Sequence, residues 1–137
     1  MGNALYDPGR QNFLEADIDW LVDNIKVTSI DEDDDVPDLA NDEFLSDILA
    51  GAREFQSANF ASKTSTSGVA DAADLLPAFA LAAGDEFESI SLYFDTTVAA
   101  TSLLICNIDT ATGLPLTPDG SNVDILWSNA PNKIYKI

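Results

Sequence analysis

Histidine is absent from this sequence, and cysteine occurs once, as Cys106. These absences exclude Ser-His-Asp and Cys-His catalytic arrangements, imidazole metal ligands and a disulfide within the chain. Cys106 lies between apolar neighbours with no basic residue near it in the sequence, which is typical of a core residue and not of a nucleophile. No pair of carboxylates is set apart in an apolar context, as a hydrolase would require. We therefore predict a protein that is not an enzyme and needs no cofactor.

Basic residues are scarce. Six lysines and arginines stand against 24 acidic residues, which gives a net charge of −18 at pH 7. Because such a chain repels phosphate groups, binding to nucleic acid through lysine and arginine is excluded. A basic partner, a cation atmosphere or a salty medium fits the charge, and a merely well-hydrated surface explains it equally well.

Long apolar runs are missing too. No uninterrupted run approaches the roughly 20 residues that cross a bilayer, and the N-terminus has no signal-peptide pattern, so we expect no membrane contact. The 137 residues are 46% hydrophobic and 22% charged, which suits a single globular domain over residues 1–137.

Three apolar runs, separated by turn residues, lie between Ser102 and Ile137. The run over residues 102–109 is apolar on both faces and is predicted to be a central strand. The run over residues 122–128 alternates between apolar and polar side chains, and residues 133–137 are predicted to close the fold as an edge strand. We expect these three runs to form one sheet, onto which the rest of the chain packs.

The first part of the chain combines a helix with strands. Residues 1–23 are predicted to be an N-terminal arm and a short helix from about Pro8 to Ala16, with one long helix to Asn24 as the alternative. Residues 24–30 are predicted to be a strand, and residues 41–48 a second short helix.

Residues 62–94 contain further strand patterns. Residues 86–94 alternate as a half-buried strand does. Residues 62–68 are predicted to be a polar turn, and residues 68–74 and 75–81 a weak strand pair interrupted at Pro77. Taken together, the elements predict a mainly β fold: an antiparallel β-sandwich or barrel-like domain with a short N-terminal helix and one further short helix.

Residues 31–40 are predicted to be an acidic loop that begins with five consecutive carboxylates, Asp31 to Asp35. Ca²⁺ and Mg²⁺ take oxygen ligands, so these side chains are candidates for a cation site. The alternating spacing and distal glutamate of an EF-hand are missing, however. We predict a solvated loop in preference to a dedicated metal site.

Three segments carry a resemblance: residues 3–27 (NALYDPGRQNFLEADIDWLVDNIKV), residues 62–75 (SKTSTSGVADAADL) and residues 108–137 (IDTATGLPLTPDGSNVDILWSNAPNKIYKI). They resemble a family of small tailed-bacteriophage virion structural proteins. The resemblance covers most of the chain and rests on turn and strand residues.

This resemblance implies a capsid decoration or cement protein. Such a protein would be made in the host cytoplasm, lie on the outer surface of the head, and bind the major capsid protein and copies of itself, with a trimer favoured. The alternatives are a tail, baseplate or head-fibre component, with or without a receptor-binding role, or a host-derived carbohydrate-binding domain. A receptor-binding role predicts exposed aromatic residues, but Trp20, Tyr93 and Trp127 all lie in patterns that fit core packing.

The N-terminus is the candidate contact segment, because chain ends are free to dock onto neighbours. We single out Leu5, Tyr6, Arg10 and Phe13 as candidate protein-contact residues. Tyr6, Phe13 and Trp20 also fit the spacing of core anchors.

Overall fold

The structure is a computed structural model that describes residues 2–137. In order along the chain, these residues form strand β1 (Ala4–Leu5), helix α1 (Asp7–Leu14), strand β2 (Ile25–Ile30), 3-10 turns at Leu45–Asp47 and Ala50–Ala52, and strands β3 (Thr64–Thr66), β4 (Val69–Asp71), β5 (Leu75–Phe79), β6 (Ser89–Phe94), β7 (Leu103–Ile108), β8 (Val123–Ile125) and β9 (Tyr135–Lys136).

The strands form three antiparallel sheets. The largest has the order β1-β7-β6-β2, a three-stranded sheet has the order β3-β4-β9, and β5 pairs with β8. The prediction of a mainly antiparallel β fold with a short N-terminal helix is therefore confirmed. The second predicted helix is only a 3-10 turn at Leu45–Asp47.

The three C-terminal runs do not share a sheet. β7 is central in the four-stranded sheet, β8 lies in the two-stranded sheet and β9 is an edge of the three-stranded sheet. The prediction of one common sheet is wrong because the connections over residues 109–122 and 126–134 are longer than hairpin loops of about two to five residues, and each carries the chain to another sheet.

The four-stranded sheet is buried on both faces. One face contributes Leu92 and Cys106 to a core that also contains residues of the other two sheets. The opposite face packs Tyr93 and Leu104 against Tyr6 and the segment that holds the 3-10 turns. The half-buried strand predicted for residues 86–94 is thus wrong in its burial, because its serines lie in the protein interior and form hydrogen bonds there.

Helix α1 stays short and packs closely on β7. The alternative of one long helix is excluded because Ala16 has a left-handed φ of 63°. A side chain at Gly9 would place its Cβ 2.7 Å from the main-chain oxygen of Leu104, so only glycine fits this approach.

Residues 62–71 form a hairpin where a polar turn was predicted. Ser67 and Gly68 have φ values of 53° and 78°, as a two-residue hairpin turn requires, and Thr66 pairs with Val69 across it. Strands β4 and β5 exist but do not pair with each other, so the predicted strand pair is wrong. Within residues 2–137, no helix is long and apolar enough to cross a membrane.

Candidate functional site

The four predicted contact residues do not form one surface. Leu5 is 8% exposed and Tyr6 is fully buried, so both side chains belong to the core of the chain itself. Arg10 lies on the surface of α1 in an ion pair with Asp7 (2.5 Å). Phe13 is partly buried against Tyr135, with ring centroids 6.2 Å apart. Only Arg10 and Phe13 are therefore placed where a partner can reach them.

Burial of the N-terminus follows from its hydrogen bonds. β1 pairs with β7 through the register Ala4↔Asn107 and Leu5↔Cys106, and the Tyr6 amide donates to the main-chain oxygen of Ile105 (2.9 Å). Ala4 and Leu5 thus belong to the central sheet and do not form a free arm.

A row of buried polar side chains crosses the sheet below Tyr6. The Tyr6 hydroxyl and the Ser91 hydroxyl share a hydrogen bond of 2.8 Å, and the Asn107 amide donates to Ser91 (3.0 Å) and Ser89 (3.1 Å). Burial raises the pKa of the Tyr6 hydroxyl above its ordinary value. The row fixes the position of Tyr6, but it is closed to solvent.

The remaining chemically notable side chains are also enclosed. Cys106 is buried, and burial raises the pKa of its thiol to about 12, so it is inert as a nucleophile. Trp20, Tyr93 and Trp127 are each less than 10% exposed, which confirms the prediction that they are core residues.

The carboxylates of the acidic loop accept hydrogen bonds from different parts of the chain. The Asp31 carboxylate accepts from the Asp33 amide (3.0 Å), and the Asp35 carboxylate accepts from the Leu49 amide (2.8 Å). The first bond is local to the loop, whereas the second ties the loop to the residue before the 3-10 turn at Ala50–Ala52, so the five consecutive residues do not converge on one point.

Asp31 and Asp33 instead meet a residue from another strand. Carboxylate oxygens of Asp31, Asp33 and Glu88 lie within 4.8 Å of one another. The Glu88 carboxylate also accepts from the Glu32 amide (2.7 Å). Burial, followed by the charges of Asp31 and Asp33, raises the pKa of Glu88 above its ordinary value of 4.5. These observations show that the three carboxylates repel one another at one end of the four-stranded sheet.

A separate cavity lies between the segment after β7 and strand β8. It is an open groove of about 590 Å³. Residues 110–114 and residues 123–128 line it, together with the apolar side chains of Phe79, Phe87 and Ile90. We call it the β8 groove.

One sign of this groove is visible in the residue pattern of β8 and the residues after it. Val123 and Ile125 are partly buried and Trp127 is buried, as the alternation predicts, whereas Leu126 lies on the polar face of the same run and is 71% exposed. A large apolar side chain on a solvent-facing position is the pattern of a contact surface, although a single one is common in any protein.

No protein-family model matches this chain, and no significant match exists among curated proteins.

Proposed function

We propose that this chain is a non-enzymatic structural protein of a tailed-bacteriophage virion, and within the virion a capsid decoration protein. The observation that carries the protein-contact role is the β8 groove, an open and largely apolar depression bordered by an edge strand. The resemblance of residues 3–27, 62–75 and 108–137 to small virion proteins supports the virion role.

The fold supports a load-bearing role. A cement protein must hold its contacts apart at a fixed distance while the head is under pressure. Strands β6 and β7 are buried on both faces and pair along their whole length, apart from one register shift. Because close-packed interiors are hardly compressible, such a domain transmits force instead of deforming.

The charge supports an external position. A net charge of −18 repels packaged nucleic acid and keeps particles apart from one another. In this proposal the protein is made in the host cytoplasm, lies on the outer surface of the capsid, and binds the major capsid protein and copies of itself as a homo-oligomer, with a trimer favoured.

Cryo-electron microscopy of intact virions tests this proposal. We expect the chain in many copies on an icosahedral shell, at junctions between capsomers. A few copies on the tail, the baseplate or a head fibre would replace decoration with one of those roles, and receptor binding would then be measured. Absence from purified particles would overturn the virion proposal altogether.

The surface residues of α1 offer a second test. Arg10→Gln and Phe13→Ser are expected to lower incorporation into particles if this helix contacts a neighbour. Lys136→Gln, which removes an exposed basic residue from β9, is the matched control. Full incorporation of both α1 variants would remove Arg10 and Phe13 from the contact surface.

A further inference from the structure

The β8 groove runs along the edge of a strand. Every residue from 123 to 128 lines it, although successive side chains of an extended segment point to opposite sides. A cavity that touches each residue in turn faces the edge of the segment and not one of its faces. Among residues 2–137, β8 has β5 as its only strand partner, so its other edge has no strand beside it.

An unpaired strand edge is a template for another extended chain, because its main-chain N–H and C=O groups have a regular spacing. The walls add side-chain pockets to that template. Ile108, Leu114, Leu116 and Ile134 line the groove around β8 and are partly buried. These features match strand addition, in which main-chain hydrogen bonds provide affinity and pockets select alternate side chains.

The charges near the groove favour a cationic occupant. Asp124 lies in the wall and is exposed. Phe87, which also lines the groove, stands between Glu86 and Glu88, and the latter lies beside two further carboxylates. Lys133 is the one basic residue in the lining. The lining itself therefore carries one acidic and one basic side chain, and the negative charge near the groove comes from the carboxylates around it, in a chain with a net charge of −18.

We propose that the β8 groove binds an extended segment of a second protein, with alternating apolar residues and lysine or arginine at one end, which pairs with the free edge of β8. The proposal rests on the proposed function only for the source of that segment, which in a virion is the major capsid protein. A second copy of this chain is a poorer occupant of the groove because, with six basic residues against 24 acidic ones, it has few lysines and arginines to place there. A small apolar ligand would leave the strand edge unused.

Defined peptides test the groove in the isolated, full-length protein. The first probe is fluorescein-labelled Lys-Lys-Thr-Val-Thr-Val-Thr-Val, and the second replaces both lysines by glutamate. A third carries N-methyl groups on alternate residues, which removes main-chain donors from one edge. We expect fluorescence anisotropy to show salt-dependent binding of the lysine probe, and binding at least about tenfold weaker for the other two. Equal binding of the N-methylated probe would overturn strand pairing.

Two variants locate the binding. Leu126→Asp places a charge in the groove at a position that is 71% exposed. Binding of the lysine probe should become about tenfold weaker or more. Leu14→Asp makes the same change at an exposed residue outside the groove, and should leave binding unchanged. Asp124→Asn should weaken binding of the lysine probe without disturbing its apolar contacts. Lys133→Gln should strengthen binding of the same probe. Unchanged binding in Leu126→Asp would overturn the assignment to this groove.

The outcomes separate this proposal from the proposed function. Peptide binding by a protein that is absent from virions would overturn the virion role and leave the groove as a docking site. A protein found on capsids that binds none of the probes, and whose Leu126→Asp variant is incorporated normally, would overturn the groove alone. Self-association abolished by Leu126→Asp would replace the proposed occupant with a second copy of the chain.

Discussion

Strands β7 and β8 are two consecutive strands of one chain, and they differ sharply in their surroundings. In β7, five of six residues are buried, and the strand lies between β1 and β6. In β8, none of the three residues is buried, and β5 is the only strand beside it in the described part of the chain. The first strand has every edge and face occupied, while the second leaves one edge open to solvent beside an apolar groove.

This difference assigns stability mainly to the region of β7 and interaction with partners to the region of β8. Burial of apolar side chains is the main favourable term in folding, so the four-stranded sheet holds most of what keeps the chain folded. The β8 side contributes less and is correspondingly free to change. Substitutions in the two regions can therefore test fold and binding almost independently, since distant sites usually have additive effects.

The strongest test of the comparison is a truncation in each strand. Leu104 in β7 is fully buried, so Leu104→Ala should lower the free energy of unfolding by about 2–5 kcal/mol. Ile125 in β8 is partly buried, and Ile125→Ala should cost about 1–2 kcal/mol, since only part of its surface leaves water on folding. Urea denaturation measures both, and equal losses would break the distinction between the two regions.

The contact of α1 with β7 provides the next largest effect. Because the added Cβ of Gly9→Ala would meet main-chain atoms of Leu104 and Ile105, the helix must move, and we expect a loss of about 1–3 kcal/mol. Gly51→Ala is the control, since its nearest neighbour would be a side-chain atom at 3.7 Å. Thermal unfolding that shows Gly9→Ala to be as stable as the wild type would argue against this close packing.

Tyr6 tests the polar row with a smaller change. Tyr6→Phe removes only the hydroxyl that bonds to Ser91, so we expect a loss of about 0.5–1.5 kcal/mol. Tyr135→Phe is the matched control, because the Tyr135 side chain packs against Trp20 and Phe13 through its ring. Chemical denaturation of both variants should show the larger loss in Tyr6→Phe, and the reverse order would contradict the role of the row.

Glu88 gives the smallest predicted effect, and its sign depends on pH. Its pKa is raised in the folded protein, so the folded state holds a proton more tightly than the unfolded state. The contribution of Glu88 to stability therefore falls as pH rises from 4.5, its ordinary pKa, through the raised value. Glu88→Gln should be more stable than the wild type at pH 7, and the advantage should shrink below pH 4.5.

Asp34→Asn is the control for that experiment, because it removes one charge from the same loop without touching the cluster of Asp31, Asp33 and Glu88. The stability difference between the two variants, measured across the pH range, isolates the cluster. A Glu88→Gln variant that is less stable than the wild type at pH 7 would mean that the bond from the Glu32 amide outweighs the repulsion.

Local patterns in the sequence predicted the individual elements well. Asp7 and Pro8 mark the start of α1, and the β-branched run over residues 25–30 marks β2. These features depend on residues a few positions apart, whose preferences act without the rest of the fold. The burial of Trp20 and Trp127 also followed from their local alternation or spacing.

Long-range partners could not be predicted in the same way. Glu88 meets Asp31 because β2 pairs with β6 in the register Ile30↔Ser89, and nothing in either segment alone sets that register. The burial of Tyr6 depends likewise on the pairing of β1 with a strand about a hundred residues away, as the register Ala4↔Asn107 shows. The β8 groove arises from the separation of β7 and β8 into different sheets.

The distribution of the last three strands over three sheets also has a consequence for synthesis. None of the sheets is complete until β7, β8 and β9 have been made, and these are the last strands along the chain. A ribosome adds about 5–20 residues per second, so the earlier strands wait for several seconds with unpaired edges and exposed apolar faces. The 24 acidic side chains then protect the chain during its synthesis. Repulsion between neighbouring nascent chains keeps their unpaired strand edges from pairing with each other.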